Sequence, residues 1–225
     1  MQNDCKSCPF NTKAFHMLSE NSFDQLSENH LELGFGKGDS IIKQGMYSTN
    51  VVFLRKGLVK IHLKGPYHDQ IVRLVKAPTY LGLPTTIGDK INQYSVTAVT
   101  DVEVCFIDIK VFQKILDENT KFSNEIILEL CHNELESFRR CANRTQKQIR
   151  GNMADALLDF SDNIFQSDEF ILPISQSELA NLVDTSRESV SRVMTEFDKD
   201  GIISMKGKLI KVLNKKSLVL ISQNG

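Results

Sequence analysis

Residues Ile174 to Met205 read ISQSELANLVDTSRESVSRVMTEFDKDGIISM. Apolar positions Leu179, Leu182, Val183, Val190, Val193 and Phe197 recur at three- and four-residue spacings. That pattern predicts two short helices, Gln176 to Val183 and Ser186 to Lys199, each with one buried face. Ser175 is placed to cap the first, with Glu178 three residues on as in a capping box, and Thr185 or Ser186 to cap the second. Two capped helices across so short a break form a helix-turn-helix candidate. In the second helix Arg187, Glu188, Ser191 and Arg192 occupy the first two turns, away from Val190 and Val193. A recognition helix turns this face to base edges: arginine can donate two hydrogen bonds to guanine, glutamate can accept from the cytosine amino group, and serine can serve several bases. A solvated face with an ordinary mixture of charges would read the same in isolation, so the flanking sequence has to decide.

Downstream, MKGKLIKVLN reads as a hairpin turning at Lys206-Gly207-Lys208. From Gly201 to Gly225 there are five lysines and no Asp or Glu, in a chain whose net charge is only -1. The basic footprint is therefore local, and it sits directly after the helix-turn-helix candidate. Lys206 and Lys208, with Ser177, Thr185 and Ser186 at the helix starts, are the expected phosphate contacts, which add affinity but no sequence information. Upstream, MADALLDFSDNIF predicts a helix with Met153, Leu157 and Phe160 on one face, and FILPIS a short strand. Helix, helix-turn-helix and wing make a winged-helix unit.

The first half has a different character. Ala14 to Leu26 predicts one or two short helices with Phe15, Leu18, Phe23 and Leu26 inward. From Leu31 to Asp108, short runs such as SIIKQG, NVVFLRKG, LVKIHLKG, QIVRLVK, SVTAV and VEVCFID are cut by glycines, which argues for a compact antiparallel barrel or roll. From Val111 the period turns helical for about forty residues. Within it Ile127, Cys131, Leu135, Phe138, Ala142, Thr145 and Ile149 are spaced 4, 4, 3, 4, 3, 4. So narrow a seam, flanked by Glu134, Glu136, Arg139, Arg140 and Arg144, suits a parallel coiled coil with a second copy; a long helix packed only on its own roll is the alternative.

The chain has 225 residues, 41 % of them hydrophobic and 24 % charged, the make-up of an ordinary globular protein with room for two modest domains. No stretch reaches the length of a membrane-spanning helix and MQNDCKSCPF lacks a signal-peptide core, so a cytoplasmic chain with no membrane partner is expected. Five cysteines, an odd number, argue against a disulfide framework and leave reduced thiols or metal ligation. No Walker, nucleophile-elbow, His-Glu-x-x-His or kinase motif is present, and the residues after Gly151 are used up by the winged helix, so an enzyme is not expected.

Roll, long helix and winged helix in that order resemble the Crp/Fnr family, that of the cyclic-AMP receptor protein and the fumarate–nitrate reduction regulator, from about Leu18 to Asn214. SRESVSR is similar to the family's SRETxxR recognition helix; GDSIIKQG, FLRKGLVKI and YLGL are similar to marks in its roll. The implied fold class is α+β: an N-terminal antiparallel β-roll (a double-stranded β-helix, cyclic-nucleotide-binding-like) in residues 1–117, a long dimerisation helix and hinge in 118–147, and a C-terminal winged helix-turn-helix in 148–225. The implied function is a homodimeric DNA-binding transcription regulator that meets RNA polymerase and answers to an effector or redox signal in the roll. A regulatory domain of an enzyme system and a ligand-independent DNA-binding scaffold are the rivals.

The resemblance also implies particular residue roles. Glu188-Ser189-Val190-Ser191-Arg192 resembles the oxygen-regulator branch, in which Arg192 would read guanine, Glu188 its paired cytosine and Ser191 a neighbouring thymine of a TTGAT-like half-site. The effector pocket would involve Tyr80, Leu81, Gly82, Tyr94 and Ser95. The glutamate and arginine of a cyclic-nucleotide cassette are missing from it, which argues against cyclic AMP. The oxygen regulator holds an iron–sulfur cluster on Cys-x2-Cys-x5-Cys and one roll cysteine. Here Cys5, Cys8 and Cys105 match, while Ala14 takes the third position, with His16 two residues on. A cluster, zinc, a redox pair or no role stay open for Cys5 and Cys8. His62 or His68 would be the axial ligand if the family's haem-sensing role applied. Cys131 and Cys141 read as packing or surface thiols.

Overall fold

The computed structural model describes Cys5, Cys8, Pro9 and residues 12–225. They divide into two compact units: the described residues of Met1–Lys64 with Val72–Leu135, and Gly65–Ile71 with Glu136–Gly225. The fold is α+β, with a β-roll, a long helix and a winged helix-turn-helix, as the sequence implies.

The roll begins with a 3-10 turn at Phe15–Met17 and helix α1 (Glu20–Glu28). Eight strands follow: β1 (His30–Phe35), β2 (Ser40–Ile42), β3 (Asn50–Lys56), β4 (Leu58–Lys64), β5 (Asp69–Lys76), β6 (Thr79–Leu81), β7 (Ser95–Ala98) and β8 (Val102–Asp108). They form two antiparallel sheets ordered β1-β8-β3-β6 and β2-β7-β4-β5. Helix α2 (Ile109–Glu118) and the 27-residue α3 (Thr120–Gln146) come next.

Alternation along β3 explains why NVVFLRK is apolar throughout. Val52 and Leu54 join Val59, Ile61, Leu81, Val96 and Val104 in the core between the sheets, whereas Val51 and Phe53 face the other way. That outer face is covered by Phe15, Leu18 and Leu26 from the N-terminal segment and by Phe112, Ile115, Phe122 and Ile126 from α2 and α3. A column of aromatic contacts runs through this second core: Phe53 to Tyr80 (4.9 Å between centroids), Tyr80 to Phe112 (5.7 Å) and Phe112 to Phe122 (5.6 Å).

The winged-helix part starts with α4 (Ile149–Asp159), which continues as a π-helical turn at Phe160–Phe165. Then come β9 (Glu169–Ile171), α5 (Gln176–Val183), α6 (Arg187–Lys199), β10 (Ile203–Lys206), β11 (Leu209–Val212) and α7 (Lys215–Asn224), the small sheet having the order β10-β11-β9. Its core gathers Met153, Leu157, Phe160, Leu179, Val190, Val193, Phe197, Ile210 and Leu218, all essentially buried. Two details differ from the sequence reading. The seam ends at Thr145, because α3 stops at Gln146 and Ile149 opens α4. Helix α7 was not anticipated; Asn214 caps it by accepting from the Ser217 N–H at 3.0 Å. Among the described residues no helix is long and apolar enough to cross a membrane.

Candidate nucleic-acid interface and the roll cavity

The two helices of the opening stretch form as their caps dictate. The Ser175 hydroxyl accepts the Glu178 N–H at 3.2 Å while the Glu178 carboxylate accepts the Ser175 N–H at 2.9 Å, a complete capping box. Asp184 ends α5 in the left-handed region (φ 56°), and the Ser186 hydroxyl accepts the Ser189 N–H at 3.2 Å to start α6. Val190, Val193, Met194 and Phe197 are buried, which leaves Arg187, Glu188, Ser191 and Arg192 exposed on the opposite face. These four line one open groove of ≈ 670 Å³. Gln176, Thr195, Glu196 and Lys199 line it too, and the sequence reading missed them. Thr195 and Lys199 follow from the helical period, four residues beyond Ser191 and Thr195; Gln176 enters only through the fold.

Glu188 is held below the usual carboxylate range, first by its own backbone N–H and then by the Ser186 hydroxyl. It is therefore an ionised acceptor at neutral pH, as pairing with an exocyclic amino group requires. Arg150 on α4 fixes the far end of α6, bonding Glu196 at 2.6 Å and Asp200 at 3.3 Å with its guanidinium 5.1 Å from the Phe197 ring centre.

The hairpin β10–β11 pairs Met205 with Ile210 and Lys206 with Leu209. Gly207 takes the first of its two turn positions at φ 62°, where a type II′ turn puts glycine. Of the five lysines in this region, Lys211 is taken by Glu169 (3.2 Å) and Lys215 by Asp162 and Asp168. Lys206 and Lys208, both exposed, make no ion pair among the described residues, nor does the exposed Lys216 on α7, so the wing tip carries two of the three positive charges left for a partner. Ser177 and Ser186 are exposed and Thr185 half-buried.

Residues 152–221 match the Crp-like helix-turn-helix domain, and residues 32–119 match the cyclic nucleotide-binding domain. The chain belongs to the Crp/Fnr family. Its relatives include the fumarate and nitrate reduction regulatory protein of Vibrio cholerae serotype O1, 23 % identical over 96 % of this chain and 88 % of that one. Electron transport regulator A of Shewanella oneidensis is 25 % identical over 98 % and 90 %. Among solved structures, FixK2 from Bradyrhizobium japonicum shares the fold with a TM-score of 0.78 at 16 % identity, covering 85 % of this chain and 96 % of the other. The protein is thus a DNA-binding transcription regulator of the Crp/Fnr type, controlled through an effector, and not an enzyme.

In this Crp/Fnr regulator the seam positions Ile127, Cys131, Leu135, Phe138, Ala142 and Thr145 all lie exposed along α3, and Cys141 beside them is exposed too. The effector stretch is divided by strand alternation. Leu81 enters the core between the sheets, and Tyr80 enters the helix-covered core, where burial raises its phenol pKa. Gly82 follows at φ 79°, its N–H donating to the Tyr94 hydroxyl at 3.2 Å, and the Ser95 hydroxyl accepts the Gln44 N–H at 3.0 Å. His62 shares a hydrogen bond with the Thr97 hydroxyl at 2.9 Å, while His68 and His16 are exposed.

Cys5, Cys8 and Cys105 come together. They line one cavity of ≈ 30 Å³ in the helix-covered core, along with His30, Glu32, Phe53 and Tyr80. Burial pushes the Cys105 thiol up to about 12, against the opposing pull of the Arg55 guanidinium. His30 and Glu32 escaped sequence reasoning because they join the cysteines only through strand pairing: Glu32 is the cross-strand partner of Cys105, and His30 precedes Glu32 by two residues on the same face. A four-cysteine iron–sulfur cluster does not fit these residues. Ala14, at the third cysteine position, is buried, three thiols face the cavity, and a volume of ≈ 30 Å³ suits one ion or water, not a body of several irons and sulfides.

Proposed function

We propose that this Crp/Fnr regulator acts as a homodimer on an inverted repeat of TTGAT-like half-sites, one recognition helix in the major groove of each, about one helical turn apart. Arg192 reads the guanine, Glu188 accepts from the paired cytosine, Ser191 contacts the thymine and Arg187 lies beside them. Lys206, Lys208, Ser177, Thr185 and Ser186 meet phosphates. The observation that carries this reading is the exposure of Arg187, Glu188, Ser191 and Arg192 along a single groove beside an unpaired basic wing.

Residues 118–147 supply the dimer seam and hinge between a sensing part, 1–117, and a DNA-binding part, 148–225. The apolar positions exposed on α3 support a second copy as the seam's occupant. The roll takes the effector in the region of Leu81, Gly82, Tyr94 and Ser95, and the bound dimer meets RNA polymerase in the cytoplasm. Selection of DNA from a random pool tests the reading. Wild type should enrich the inverted repeat, and Arg192→Ala should lose about 1–3 kcal/mol and relax preference at the guanine. An unchanged half-site preference in the variant removes the assignment.

A further inference from the structure

We propose that the roll holds a single thiophilic divalent metal ion, of the Zn²⁺ or Fe²⁺ kind, on His30, Glu32 and Cys105, with a thiolate of the Cys5–Cys8 segment completing the shell. Three observations lead there. Strand pairing places Glu32 opposite Cys105, and two-residue alternation puts His30 on the same face. One ligand atom from each of the three lies within 4.8 Å of the others. Tetrahedral ligation at the usual zinc bond lengths needs ligand atoms about 3.3–3.8 Å apart, a spacing that small side-chain rotations reach from there. A cluster instead gives each cysteine its own iron and holds the sulfurs well apart.

The second observation is the orientation of His30. Its Nδ1 lies 2.8 Å from the Leu26 carbonyl, which can only accept, so Nδ1 carries a hydrogen, and the neutral ring that a metal binds has its lone pair at Nε2. A hydrogen bond of this sort, to a backbone carbonyl, orients a metal-bound imidazole. Nε2 faces the Glu32 Oε1 at 3.4 Å, two lone pairs that a cation between them satisfies. The other oxygen of Glu32 is bound by Arg55 at 2.6 Å, which sets a buried positive charge beside a site rich in anions.

The third is the cavity. Cys5 and Cys8 line its wall, so thiols are at hand for a fourth position. The room, ≈ 30 Å³, is that of one ion. A soft thiolate beside imidazole and carboxylate selects zinc or ferrous iron over magnesium or calcium.

The full chain, purified without oxygen and without a metal-affinity tag, is assayed for metals and acid-labile sulfide. The expected result is one zinc or iron per chain and no sulfide. Co²⁺ added to chelator-stripped protein should give thiolate-to-cobalt charge transfer and tetrahedral d–d bands, weakened strongly in His30→Ala and Cys105→Ser and kept in Cys131→Ser. Cys105 is buried, so Cys105→Ser can misfold; Cys5→Ser with Cys8→Ser, on the N-terminal segment, reads the same loss of the charge-transfer band. Iron and sulfide in matching multiples would overturn the proposal in favour of a cluster. So would stripped wild-type protein that binds no cobalt, or a cobalt spectrum indifferent to His30→Ala. The assay reads metal and not DNA, so its failure leaves the operator reading standing.

Discussion

Glu129 on α3 accepts a hydrogen bond from the Thr79 hydroxyl at 2.9 Å, yet burial outweighs that bond and raises its pKa above the usual carboxylate range. A carboxyl whose folded pKa is raised favours the fold while protonated, and that contribution is lost as pH climbs from the unfolded value through the folded one. Glu129→Gln, which stands in for the protonated form, should therefore melt above wild type at neutral pH, the gap closing toward pH of about 4. Urea or thermal melts across that range check it; a gap that widens in acid contradicts it. At this scale the sequence is readable where a side chain acts on its own neighbourhood. Ser175 and Glu178, three residues apart, announced a capping box that the structure contains. His30 and Glu32 announced nothing, because a strand does not disclose which residue its partner will set opposite, and their meaning depends on Cys105 more than seventy positions on.

Among the elements, the helix-turn-helix and the hairpin formed where the apolar spacing and the Lys206-Gly207-Lys208 turn placed them, since both are local patterns. Helix α7 was missed for the converse reason. KKSLVLISQN has only Leu218 fully buried, and its stability comes from lying against α4. The lysine-rich tail also proved less basic in effect than in composition, because Lys211 and Lys215 are answered by acids of the same unit. Replacing Lys206 and Lys208 with alanine should weaken binding to every half-site variant alike and reduce the salt slope by about one per lysine removed. Fluorescence anisotropy over a range of salt measures this. A changed sequence preference would mean that the wing reads bases.

For the whole molecule, Ile127, Leu135 and Phe138 are 55 %, 59 % and 63 % exposed along α3, a large apolar load for one helix face. The variant Leu135→Glu with Phe138→Glu should sediment as a monomer and lose affinity for the inverted repeat while keeping its helical circular dichroism. A dimer that survives both charges puts the interface elsewhere. The order roll, long helix, winged helix was legible from changes of period alone. The two faces of the β1-β8-β3-β6 sheet were not, because a strand buried on both sides shows no alternation. On the outer face, the aromatic column places Tyr80 between the cavity and Phe122, near the start of α3. The chain has no tryptophan and only four tyrosines. Its ultraviolet emission thus comes from very few rings, one of them on the wall of the cavity, and the protein carries in its native sequence a fluorescent gauge of what the roll contains.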